Sequence, residues 1–136
     1  FFFKQKTAYE IKECDWSSDV CSSDLAAKSV IETILDTTTI EECEEKSLSV
    51  AGKDLRYLLY NWLEEIIILT ITDGFAAKTM SVMIEKNSEY HIVAKFRGEK
   101  IDIKKHHFKV EIKAPTFHEM EITQNGAVYM RYLLDL

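Results

Sequence analysis

The chain has 136 residues, of which 46% are hydrophobic, and its 17 Lys/Arg against 23 Asp/Glu give a net charge of −6. That length bounds it to one domain. The acidic balance argues against wrapping RNA or DNA by charge alone, while leaving room for a protein partner that itself holds RNA.

The first stretch resists any folding pattern. In YEIKECDWSSDVCSSDL, Trp16, Val20 and Leu25 stand among paired serines and Asp15, Asp19 and Asp24, with neither a helical stripe nor strand alternation. The genetic code accounts for it better. KQKTAYEI (4–11) and DWSSDVCSSDL (15–25) are each one reading frame of consecutive parts of a sequencing-library adapter, and IKEC (11–14) spans the place of a sample index. Residues 1–25 are therefore read as adapter-derived, joined in frame to a truncated gene and not part of the fold. Lys4, Lys6, Glu10, Lys12 and Asp15 interrupt every apolar run, which argues against a secretion signal. Over 26–136, fourteen Lys/Arg against eighteen Asp/Glu leave −4. Cys14 and Cys21 fall in the adapter, so Cys43 is the remaining thiol, which offers no disulfide framework and fits a reducing cytoplasm. The longest apolar run, 66–69, is too short to span a bilayer.

AAKSVIETIL (26–35) places Ala27, Val30, Ile31, Ile34 and Leu35 on one helical face, without an N-cap. Asp36 and three threonines break it, and the acidic 41–45 run reads as a solvated turn. Residues 46–50 read as a short strand turned by Ala51-Gly52. The clearest helix follows: Leu55, Leu58, Leu59, Trp62, Leu63, Ile66 and Leu69 recur at three and four, Asp54 can cap the first turn, and Thr72-Asp73-Gly74 ends it. Alternation then predicts strands around Met80–Ile84, Tyr90–Phe96, Phe108–Ile112, Met120–Ile122 and Val128–Leu134. Asn87-Ser88 marks one turn and Asn125-Gly126 a type I′ hairpin. Two helices on an antiparallel-rich mixed sheet make an α+β domain.

Gly52, Gly74, Gly98 and Gly126 stand alone beside turns, so no phosphate-cradling loop forms. His91 reads as a solvent-facing strand residue. His106, His107 and His118 are a weak zinc candidate, because adjacent histidines on a strand point to opposite faces.

The informative stretches are HHFKVEIKAPTFHEMEI (106–122), NWLEEIIIL (61–69) and LLDL (133–136). Together they resemble the archease family, small proteins that activate the GTP-dependent tRNA-splicing RNA ligase. Members carry a helix of the form LLxNWLxELL, a strand of the form HxxKxEVKAxTYH and an end of the form hydrophobic-hydrophobic-Asp-Ile. Here these read LLYNWLEEI, HFKVEIKAPTFH and LLDL, with Phe117 in place of the usual Tyr and Leu136 in place of Ile. The resemblance covers essentially all of 26–136.

The resemblance implies an archease-like fold whose first strand is missing. It also implies an activator rather than an enzyme, one that promotes guanylylation and turnover of the ligase catalytic subunit during tRNA splicing. On that reading RNA is met only indirectly, no membrane is involved and the location is cytoplasmic. The implied cofactor is a divalent metal, calcium, at Asp135 and the terminal oxygens of Leu136. Its further Asp ligand belongs to a His-Thr-Ala-Asp segment of the family that lies where the adapter stands, so metal binding should be weakened. Lys113, Glu111 and His118 are the candidate partner-facing residues. Two other classes stay open: a small metal-assisted hydrolase built on Asp135, His118 and Glu111, and a truncated interaction domain without activity.

Overall fold

The computed structural model describes residues 6–14, 21–125 and 127–136. In chain order these form β1 (Lys6–Cys14), α1 (Cys21–Ile34), a 3-10 turn (Thr37–Thr39), β2 (Glu44–Gly52) and α2 (Leu55–Ile67), which runs on into a π-helical turn (Ile68–Thr72). Four strands complete the chain: β3 (Phe75–Lys86), β4 (Tyr90–Lys100), β5 (Ala114–Asn125) and β6 (Ala127–Asp135). The expected α+β architecture is present, with a finer division than the sequence pattern implied. Two three-stranded sheets form, ordered β1-β6-β5 and β2-β4-β3, and each pairing is antiparallel.

Both helices form where apolar side chains recur at three and four. On α2, Leu58, Leu59, Trp62, Leu63, Ile66 and Ile67 are buried, and Leu55 is half-buried at its start. The Asp54 carboxylate accepts the Tyr57 N–H at 2.9 Å, satisfying one of the amides a first turn leaves open. The helix stops at Gly74, whose φ of +66° suits a residue without a Cβ. On α1, Ala26, Ala27, Val30, Ile31 and Ile34 are buried, and Leu35 continues the same face beyond the helix. The helices pack on each other; α2 also contacts β2, β4 and β5, while α1 contacts β1 and β3. The helix pair is thus the apolar layer that both sheets share. On β4, Ile92, Ala94 and Phe96 face it and Val93, Lys95 and Arg97 face solvent. The Phe96 ring lies 6.0 Å from that of Trp62.

Three expectations meet a different arrangement. First, the helix expected from Ala26 starts at Cys21, and 6–14 pairs along β6 in register from Lys6↔Asp135 to Cys14↔Val128. Ladder pairing joins main-chain N–H to C=O, so an open strand edge accepts any extended segment of strand-compatible residues. Second, no strand forms over 108–112. Ile112 is buried and Phe108 packs against the core while Lys109 and Glu111 are exposed, so the alternation is real. Its amides go elsewhere: Lys109 N–H donates to Ile34 C=O at 2.7 Å and Lys113 N–H to Asp135 C=O at 2.8 Å. Third, the acidic run is only partly a turn, since β2 already begins at Glu44. The Asn125-Gly126 turn falls at the junction of β5 and β6, and Gly126 lies outside the described residues.

Candidate functional site

Asp135 is the last residue of β6, with β1 on one side of that strand and β5 on the other. Its register partners are Lys6 and Ala114, and its carbonyl accepts the Lys113 N–H. Asp135 and Leu136 are half-buried, and the Leu136 side chain packs against the core. Glu111, Lys113 and His118 are all exposed, and of these Lys113 meets the chain end through its N–H. The His118 N–H donates to Thr116 Oγ1 at 3.1 Å, which holds the backbone just before the histidine ring.

The donors at the chain end suit calcium in kind and fall short in number. Asp135 and the terminal carboxylate supply hard oxygens, whereas calcium takes about six to eight. Among the described residues, neither Asp135 nor the hydrolase set of Asp135, His118 and Glu111 belongs to a group of three His, Cys, Asp or Glu donors within 4.8 Å of one another. A buried carboxylate oxygen without a hydrogen-bond partner, Asp24 Oδ1, lies in the first turn of α1, and no such group forms around it either. No chemical step is therefore assigned to a metal here.

The group that does meet that spacing is Glu41, Cys43 and Glu99. It already holds a cation: Lys105 Nζ lies 2.8 Å from Glu99 Oε1 and 3.5 Å from Glu41 Oε1. The lysine's hydrogen bond holds the Glu99 carboxyl below the usual glutamate range, and the same bond raises Lys105 above the usual lysine value. His106 completes the network. Fully buried, it accepts the Asp102 N–H on Nδ1 at 2.9 Å, which leaves Nε2 to donate to Glu99 Oε1 at 3.0 Å. The expected placement of His106 and His107 on a strand is thus replaced by a turn, with His107 at a φ of 49°. Both His106 ring nitrogens are engaged, and His107 and His118 are exposed, so the weak zinc candidate is not assembled.

A second feature was invisible to strand alternation. Between Thr116 and Glu121, five steps along β5 cover two along β6, so the intervening residues leave the ladder as a bulge. This brings the Phe117 ring into contact with α2, 4.2 Å from that of Tyr60 and 5.1 Å from that of Tyr57. A sequence signal existed in the spacing of Tyr57 and Tyr60 on one side of the helix, but nothing local tied it to Phe117.

Comparison with known proteins agrees with this geometry. A profile of the archease protein family matches residues 23–136. Protein archease of Pyrococcus abyssi is 38% identical over 97 residues, covering 71% of this chain and 68% of that protein. Protein archease of Sulfolobus acidocaldarius is 35% identical over 112 residues, covering 82% and 80%. The solution structure of Methanobacterium thermoautotrophicum protein 1598 superposes with a TM-score of 0.79 at 28% identity, over 100% of this chain and 96% of that one. With the family profile spanning α1 through β6 and an experimental fold superposing over the whole length, the chain belongs to the archease family.

Proposed function

We propose that this chain activates the GTP-dependent tRNA-splicing RNA ligase, promoting guanylylation and turnover of the ligase catalytic subunit without performing ligation itself. The observation that carries the reading is the family match over 23–136. Charge supports a protein partner over direct RNA wrapping, since the chain carries a net −6. The same reading has it working in the cytoplasm; no helix among the described residues is long and apolar enough to cross a membrane. Glu111, Lys113 and His118, all exposed, are the side chains it assigns to the partner. Calcium at Asp135 and Leu136 belongs to the reading as a weak site, because few oxygens are gathered there.

The test is a guanylylation assay. Purified ligase is incubated with GTP, with and without substoichiometric amounts of this chain, and covalent ligase–GMP is counted over time. More ligase–GMP per unit time, with several ligases served per activator, is the expected result. Unchanged guanylylation, or hydrolysis of GTP by the chain alone, overturns the proposal.

A further inference from the structure

The start of α2 and the bulge of β5 form one surface on which aromatic rings and cations alternate. The Phe117 ring lies parallel to that of Tyr60, within 6°, and Tyr57 tilts against it at 58°. The Arg56 guanidinium sits 5.7 Å from the Phe117 centroid and Lys53 Nζ 4.3 Å from that of Tyr57. Lys53, Arg56 and His118 are exposed, and Tyr57, at 42% exposure, is among the most exposed large apolar side chains of the chain. Among the described residues no carboxylate pairs with Lys53 or Arg56. The nearest in sequence, Asp54, spends its Oδ1 on the helix cap.

The arrangement distinguishes between two kinds of ligand. A nucleobase binds an aromatic platform through a free ring face. Here Phe117 is already stacked on Tyr60 and approached by Arg56, and Lys53 lies over Tyr57. What the patch offers instead is cations, held in place over rings and with N–H donors to spare. Arg56 uses one Nη on the Phe117 carbonyl, at 3.4 Å, and a guanidinium has five N–H donors. Such donors suit carboxylates, and an exposed tyrosine beside arginine is the composition of an interface hot spot. On a chain of net −6, an acidic partner is repelled over much of the surface, so a local basic patch selects where it lands.

We infer that Lys53, Arg56, Tyr57, Tyr60 and Phe117 form the docking surface for an acidic, carboxylate-bearing segment of a protein partner. Lys53 and Arg56 take the carboxylates, and Tyr57 is the apolar anchor. This rests on the activator reading, which makes the partner the RNA ligase. The bulge is the device that builds the surface, because in-register pairing of 117–120 would return Phe117 to the ladder.

Titration calorimetry with the purified ligase tests it. The proteins are wild type, Lys53→Glu/Arg56→Glu, and the milder Lys53→Gln/Arg56→Gln, each checked for an unchanged melting temperature. Oligouridylate is the RNA probe, and the guanylylation assay runs in parallel. Expected are ligase binding that weakens with salt and a loss of about tenfold or more in the charge-reversed variant, with a smaller loss for the Gln pair. Ligase binding equal in all three proteins overturns the docking surface and leaves the activator reading standing. No binding and no stimulation by the wild type overturns both. Variants that lose oligouridylate binding while keeping ligase affinity make the patch an RNA surface and overturn the inference.

Discussion

Gly98 on β4 lies so close to Ala76 on β3 that a Cβ at Gly98 would run into the Ala76 carbonyl oxygen. It would also fall 2.8 Å from that residue's carbonyl carbon and 2.9 Å from Ala77 Cα. The approach coincides with a register irregularity of β3 between Ala77 and Thr79. The contact is backbone against backbone, so no side chain can rotate away. Gly98→Ala should therefore destabilise by about 1–3 kcal/mol or more, through displacement of β3. Urea unfolding of the variant gives the value, and a midpoint equal to wild type would show that β3 yields without cost.

Trp62, on α2, is fully buried, with its ring 6.0 Å from that of Phe96. Truncation removes the largest side chain of the core. Trp62→Ala should cost about 3–5 kcal/mol, enough to abolish a cooperative thermal transition in a domain of marginal stability. Retention of a sharp transition near the wild-type temperature would mean that the cavity collapses.

Replacing His106 with an isosteric apolar residue leaves the Asp102 N–H unmet and takes from Glu99 Oε1 one of its two donors, with Lys105 Nζ remaining at 2.8 Å. His106→Leu should cost about 1–3 kcal/mol for these lost partners. Amide exchange would show the loss first at Asp102 and Lys105, in the turn the ring pins. Uniform acceleration across the whole chain would contradict a local role.

The Glu99–Lys105 pair predicts an asymmetric pH response. Glu99 titrates below its ordinary 4.5, so its contribution is present above that value and is lost as pH falls through the lower folded value. Lys105 titrates above its ordinary 10.5, so its contribution is present below that value and is lost as pH rises through the higher folded one. The stability gap between wild type and Glu99→Gln should stay flat near neutrality and shrink below pH 4.5. Chemical unfolding at a series of pH values measures it, and a gap that widens in acid would reverse the assignment.

Calcium should bind this chain weakly, because Asp135 and the terminal carboxylate supply few of the oxygens the ion needs. Calorimetric titration should give little heat, and Asp135→Ala should remove what there is. Adding a His-Thr-Ala-Asp segment ahead of α1 should raise the affinity. Equal affinity with and without it would place the metal elsewhere.

What the sequence determined by itself is local. The helical face of α2, its Asp54 cap and its end at Gly74 follow from side-chain spacing, a carboxylate within reach of an amide and a residue free to adopt positive φ. The burial of Ile112 and the exposure of Lys109, Glu111 and Lys113 were legible too, because alternation records which side faces the core. That 109–113 would not be a strand was not legible, since alternation is silent on whether a neighbouring strand is there to pair. The tertiary structure alone decided that Lys109 and Lys113 give their amides to Ile34 and Asp135 instead. It likewise buried His106 against Glu99 and brought Phe117 onto Tyr60, 57 positions earlier in the chain. Both contacts depend on where the backbone turns or bulges, and that is set by packing between elements distant in the sequence rather than by the residues at the turn.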